Sequence, residues 1–127
     1  ASATYYWSNS DRGQLLVLVG DVFEVQRQRI EIQGLELNLS TATPIKGLRI
    51  GLGYAHLDGR VDSNADGAVD ADLDGANIGP DRLNLSADWT VGLVSLRLQS
   101  RTHFARRFAG GDPRNDFGGY HLLDSAL

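Results

Sequence analysis

The sequence predicts an all-β chain folded as an antiparallel up-and-down meander, and three observations point to it. Leu48, Ile50, Leu52 and Tyr54 alternate with Arg49, Gly51, Gly53 and Ala55. Likewise Leu83, Leu85, Ala87, Trp89 and Val91 alternate with Arg82, Asn84, Ser86, Asp88 and Thr90. A period of two gives each strand one apolar and one polar face. Short and long connections separate these runs. The 15 glycines exceed the usual share and fall mostly in turns or on one strand face.

In chain order, Ala3 to Ser8 is an aromatic-rich extended stretch, which Asn9 to Gly13 loosens before Leu15 to Val19 resumes it. Gly20-Asp21, set between β-formers, signals a tight hairpin leading into Val22 to Val25. The returning strand has its apolar phase on even positions at Ile30 and Ile32 and on odd positions at Leu35, Leu37 and Leu39. A slip of one residue turns a face over, so Gly34 is expected to mark a bulge or a change of environment.

Thr43 to Gly47 is a turn, punctuated by Pro44, which cannot donate to a ladder. The strand from Leu48 follows, then an acidic loop from Asp58 to Pro80, then the partner strand from Arg82. Thr90 to Gly92 reads as another short turn. Val94, Leu96 and Leu98 then alternate with Ser95, Arg97, Gln99 and Arg101. A second long polar loop is expected over Ala105 to Gly118, with a last strand from Gly119. Six strands in three up-and-down pairs result.

At 127 residues the chain has the size of a single domain, and its net charge of −4 gives no electrostatic pointer to nucleic acid. Without cysteine there is no disulfide frame and no thiolate metal site. No run of 18 apolar residues exists, which excludes a transmembrane helix but not a transmembrane barrel. Ala1 to Tyr5 has no basic or apolar leader pattern and starts in mid-pattern, so an excerpt from a longer protein is expected.

Each alternating run is about ten residues long, the length with which a tilted strand crosses a hydrocarbon core. Short turns at one end and long loops at the other characterise outer-membrane barrels. Trp89 beside a short turn and Tyr54 toward a long loop stand where interfacial girdles would have them. A soluble β-sandwich also alternates and is also rich in turns. The pattern alone serves both architectures.

A resemblance separates them. Ile32 to Leu37, Gly47 to Gly59, Gly79 to Trp89 and Asp116 to Asp124, taken in order, resemble TonB-dependent outer-membrane receptors of the siderophore-receptor type. The ordered set, covering nearly the whole chain, carries the likeness more than any one motif. It implies a barrel of about 22 strands with a plugged lumen. Residues 1–127 would be a late portion of that barrel's wall, lacking the plug and the final strands. It also implies a place in the outer membrane of a Gram-negative bacterium and import of a scarce ligand, commonly a ferric siderophore. The implied partners are outer-membrane lipid, the rest of the barrel and its plug, the ligand, and TonB, which this segment would not itself touch. Leu48, Ile50, Leu52, Leu83, Leu85, Val94, Leu96 and Leu98 are then expected to face lipid. Arg49, Asn84, Ser86, Arg97 and Gln99 are expected to face the lumen. Such an excerpt, with two raw edges, should not be soluble alone.

The stretch from Asp62 to Asp72 opens like a calcium loop. Asp62, Asn64 and Asp66 alternate, Gly67 follows the third, Ala68 offers a carbonyl, and Asp70 or Asp72 could complete a shell for a hard cation. An EF-hand needs Glu at the twelfth place, where this chain has Leu73, and no helices flank the loop. Calcium binding therefore stands beside a solvated acidic loop, and no cofactor is required by either. Arg82, Arg97 and Arg101 share one polar phase and suit a carboxylate-rich ligand along a transport path. The competing role is pairing with wall carboxylates such as Asp88. His56, His103 and His121 show no metal-ligand spacing. No nucleophile elbow, zinc-protease pattern or phosphate loop appears, so the chain reads as non-enzymatic. The alternative function is a soluble secreted β-module that binds calcium through the Asp-rich loop and recognises a surface partner.

Overall fold

The computed structural model describes residues 1–108 and 113–127, so residues 109–112 of the second long loop lie outside the described residues. The strands are β1 (Ser2–Val19), β2 (Val22–Ala42), β3 (Leu48–Val61), β4 (Ala71–Asp72), β5 (Arg82–Val91), β6 (Val94–His103) and β7 (Tyr120–Ala126). They form one antiparallel sheet in the order β1-β2-β3-β5-β6-β7, with the two-residue β4 beside β3. The sheet is an all-β meander of consecutive neighbours. It is not closed, β1 and β7 forming its edges among the described residues.

Two expectations about local structure change. The loosened stretch at Asn9 to Gly13 stays within β1, where the pairing with β2 shifts register between Ser10 and Gly13. The turn expected over Thr90 to Gly92 lies one residue later, at Gly92-Leu93, because Val91 pairs with Val94. At the other short turn, Gly47 has φ +80°, and Thr90 N–H donates to its carbonyl at 3.0 Å. A Cβ there would overlap the Thr90 carbonyl, so glycine serves both the left-handed backbone and the close approach.

The ladder register assigns every side chain to a face. Leu37, Tyr54, Leu83 and Thr102 form one lateral row; Leu39, Leu52, Leu85, Ser100 and Leu123 form the next. Below them come Ile50, Ala87 and Leu98, then Leu48, Trp89 and Leu96. These four rows of one face carry no Asp, Glu, Lys or Arg side chain. Many of their members are exposed, among them Leu39, Ile50, Leu52, Leu85, Trp89, Leu98 and Leu123. All eight residues expected on the apolar face lie on it, and Arg49, Asn84, Ser86, Arg97 and Gln99 lie on the opposite, polar face.

Gly34 marks the change of environment and not a bulge. It pairs in unbroken register with Tyr6 on one side and Leu57 on the other. The Tyr6 ring lies across it, where an added Cβ would overlap the ring. Beyond Gly34 the polar face turns apolar, because the segment 62–80 folds back over it. Leu73 and Ile78 from that segment pack with Leu15, Ile30 and Val61 into one buried cluster. Gly59 admits Leu73, whose Cδ1 lies 2.6 Å from where a Cβ would stand. Asn77 reaches the edge of β1, accepting from the Leu16 N–H at 2.8 Å and donating to its carbonyl at 3.0 Å. An exposed edge is thereby covered at one residue.

Candidate functional site

The polar face carries a hollow of about 440 Å³ where the sheet meets the bases of the two long loops. Its floor is one lateral row: Glu36 pairs with Ala55, Ala55 with Arg82, Arg82 with His103, and His103 with Tyr120. Alternation turns all of these side chains to the same face. The methyl of Ala55 leaves a notch between Glu36 and Arg82. Tyr6, lying over Gly34, forms one wall. The rings of His103 and Tyr120, stacked at 4.4 Å and 14°, form the other. Gly79, Pro80 and Phe117 come from the loops.

The three arginines singled out by phase share this face but not one fate. Arg97 Nε donates to Asp88 at 2.5 Å, and Arg101 donates to Asp124 at 2.8 Å. Both are ion pairs between adjacent strands, and neither Asp88 nor Asp124 is paired with the other as an acid–base couple would be. The Arg82 side chain makes no hydrogen bond or ion pair among the described residues, and neither does that of Glu36. The register separates the three: Arg97 and Arg101 each stand near an aspartate on the next strand, whereas Arg82 has Ala55 and His103 beside it.

The loop bases are held by a residue that sequence reasoning did not place. Beyond Ala55, β5 no longer pairs with β3, which leaves the Leu57 carbonyl without a ladder partner on that side. Arg106 fills the gap, donating to that carbonyl and to Asp58 Oδ1, the latter at 3.1 Å. Its guanidinium also lies 3.9 Å from Asp81 and over the Phe108 ring. Asp81 accepts from Tyr54 at 2.8 Å and meets His56 Nδ1 at 2.8 Å. Asn115 donates to Asp74 at 2.6 Å, joining the two long loops a second time. His121 meets the Thr102 hydroxyl. The three histidines thus occupy three separate settings.

In the acidic loop the candidate cation ligands act on the backbone. Asp62, only 4% exposed, accepts from Asp66 N–H at 3.2 Å and Gly67 N–H at 2.7 Å. Asn64 and Asp66 accept from amides two residues on, and Ala68 supplies one of those amides. Asp70 accepts from both the Ser63 amide and its hydroxyl at 3.0 Å, and these bonds hold its carboxyl below the usual range. Asp72 stands apart in β4 with Arg60 at 3.9 Å. Leu73, at the twelfth place, is 2% exposed in the apolar cluster. Among the described residues no three acidic or histidine side chains converge on one point.

Compared with known proteins, the chain matches no protein-family profile, no curated protein and no solved structure at a significant level.

Proposed function

We propose that this chain is a portion of the wall of an outer-membrane transport barrel of the TonB-dependent receptor type, which imports a scarce nutrient such as a ferric siderophore. The observation that carries the reading is the uncovered, charge-free apolar face. From the Trp89 row at Leu48 to the row of the charged Asp58, which bounds the band beyond the charge-free rows ending at Tyr54, ten residue steps run ~33 Å along the strand. At a tilt of ~40–45° they rise ~25 Å, the height of the apolar band of such barrels. Trp89 marks one rim of that band, its indole N–H donating to the Lys46 carbonyl at 3.2 Å. Tyr5, Trp7 and Tyr54 stand toward the other, near the charged side chains of Asp58 and Asp81. Aromatic belts at two levels with apolar rows between them suit a bilayer.

The opposite face, with its paired charges and its hollow, is that of a lumen. The turns at residues 43–47 and 92–93 lie at one end of the sheet, and both long loops lie at the other, together with the Gly20-Asp21 hairpin that closes the long β1–β2 ladder. The free edge of β1 offers pairing to a further wall strand below Leu16, where Asn77 covers it. A water-soluble module would need a core on one face of the sheet, and only five buried hydrophobic residues are found among the described residues, all in the first loop or beneath it. In this reading the acidic loop supports the wall as a self-capped brace, and the chain performs no catalysis.

Cell fractionation of the full-length protein with a heat-modifiability gel tests the proposal. Recovery in the outer membrane with a heat-dependent mobility shift is the expected result. Recovery in the soluble fraction would overturn it.

A further inference from the structure

We infer that the hollow between the loop bases binds a small planar zwitterion, its anionic group on Arg82, its ammonium group on Glu36 and its flat body over Ala55. Arg82 and Glu36 are two strand spacings apart on one face, ~9.6 Å between their Cα atoms. Ala55 between them is the smallest side chain of the row, so the two charges flank an open floor. Two neighbouring arginines are committed, Arg101 to Asp124 and Arg106 to Asp58 and Asp81. Among the described residues the Arg82 and Glu36 side chains keep their donors and acceptors unspent. A guanidinium takes a carboxylate through two parallel N–H bonds, and a carboxylate takes an ammonium through a charge-assisted one.

The walls set the shape of the body. Tyr6 on one side and the His103–Tyr120 stack on the other present ring surfaces to whatever lies across Ala55. Aromatic pairs favour offset-stacked or edge-to-face contact, which a flat ring supplies and a bulky aliphatic group does not. A ligand with two anionic ends would meet Glu36 unfavourably, and one with two cationic ends would meet Arg82 so. Opposite charges at the two ends of one ring satisfy both.

The inference deepens the transporter reading by naming a ligand class for the lumenal face. Its test is equilibrium binding to the full-length protein in detergent, with three probes: 4-(aminomethyl)benzoate, its anionic counterpart 4-methylbenzoate and its cationic counterpart benzylamine. The zwitterion is expected to bind about tenfold tighter than either single-charge probe, the increment of one charge-assisted bond. Arg82→Gln should erase its advantage over benzylamine, and Glu36→Gln its advantage over 4-methylbenzoate. Exchanging the charges, with Glu36→Arg and Arg82→Glu together, should restore the preference for the zwitterion. Equal binding of the three probes overturns the site. So does an unchanged affinity in both single variants, or a failed restoration in a charge-exchanged protein that keeps its heat-modifiability. The assay involves no transport. Absent binding by a protein found in the outer membrane therefore overturns the site alone, whereas binding by a soluble protein overturns only the transporter reading.

Discussion

Tyr6 lies across Gly34, its directly opposite partner in the β1–β2 ladder, and covers the one residue where the apolar pattern of β2 changes phase. An aromatic ring over a strand glycine restores the packing that the missing side chain forfeits. A Cβ at residue 34 would overlap the ring's far end, so Gly34→Ala should push Tyr6 off the sheet. The expected cost is ~1 kcal/mol, at the lower end for overpacking because a single ring swings aside. Denaturant unfolding of the detergent-solubilised protein measures it. In a double-mutant cycle Gly34→Ala should cost less once Tyr6→Ala has removed the ring.

Arg106 stands in for a strand at the upper end of β3. Its fork serves the Leu57 carbonyl and the Asp58 carboxylate together, with a side chain only 19% exposed. Lysine keeps the charge but cannot reproduce the two-directional donation. Arg106→Lys is therefore expected to cost ~1.5–3 kcal/mol, the range for losing a hydrogen bond to a charged group. Hydrogen exchange should quicken at Phe104 and Asp116 to Phe117, where the second loop is tied down. Uniform exchange across variant and wild type would assign Arg106 no bracing role.

Much of the sheet was legible because alternation needs only the sequence. Leu48 to Tyr54 and Leu83 to Val91 each declare two faces, and the register keeps them. What alternation does not declare is which residue of the next strand stands opposite. Arg82, Arg97 and Arg101 look equivalent by phase, and only register gives aspartates to two of them and Ala55 to the third. Glu36 was hidden for the same reason. The phase change at Gly34 was visible, but its cause lies in Leu73 and Ile78, far along the chain in a loop whose composition announced solvent. Leu73 stands where an EF-hand has Glu, while its place in the apolar cluster depends on the absence of a side chain at Gly59.

Asp62 is expected to order the acidic loop by accepting two amides. Asp62→Ala leaves the Gly67 N–H unpaired and leaves the Asp66 N–H only its Asn64 acceptor, and Asp62→Asn keeps one acceptor oxygen. The alanine variant should lose ~2 kcal/mol of local loop stability, with the asparagine variant between it and wild type. Amide exchange over residues 62–70 reads this directly. Because Asp70 and Asp72 are engaged elsewhere, by Ser63 and Arg60, millimolar calcium should leave the ranking of the three proteins unchanged. A calcium-dependent gain in wild type that Asp66→Ala abolishes would instead make the loop a cation site.

Asp70 gives the same loop a pH dependence. Its carboxyl is held below the ordinary range first by the Ser63 amide and then by the Ser63 hydroxyl. A group with a depressed folded value stabilises the fold above its unfolded value, ~3.9 for an aspartate, and loses that contribution as pH falls through the folded value. The loop should therefore stay ordered at pH 5 and loosen only below about 4. Ser63→Ala removes one of the two bonds and should move the carboxyl back toward its ordinary range. A carbon-13 titration of the Asp70 carboxyl that is identical in both proteins would rule this out.

Leu85 and Ser86 are neighbours in β5 that face opposite ways, so a single charge placed at each reads the environment of each face. Leu85 sits in the middle apolar row with Leu52 and Ser100, and it is 42% exposed in the isolated sheet. If that row meets hydrocarbon, Leu85→Lys costs ~2–4 kcal/mol, the range for a cation near the bilayer midplane. Ser86→Lys, on the polar face beside Gln99, should cost under ~1 kcal/mol because a water-filled lumen solvates it. In a sheet surrounded by water the order reverses: a lysine replacing an exposed leucine is then neutral or improves solubility. Unfolding free energies of the two variants in lipid vesicles decide between these orders, and a smaller cost at Leu85 than at Ser86 would remove the membrane from the account of this face.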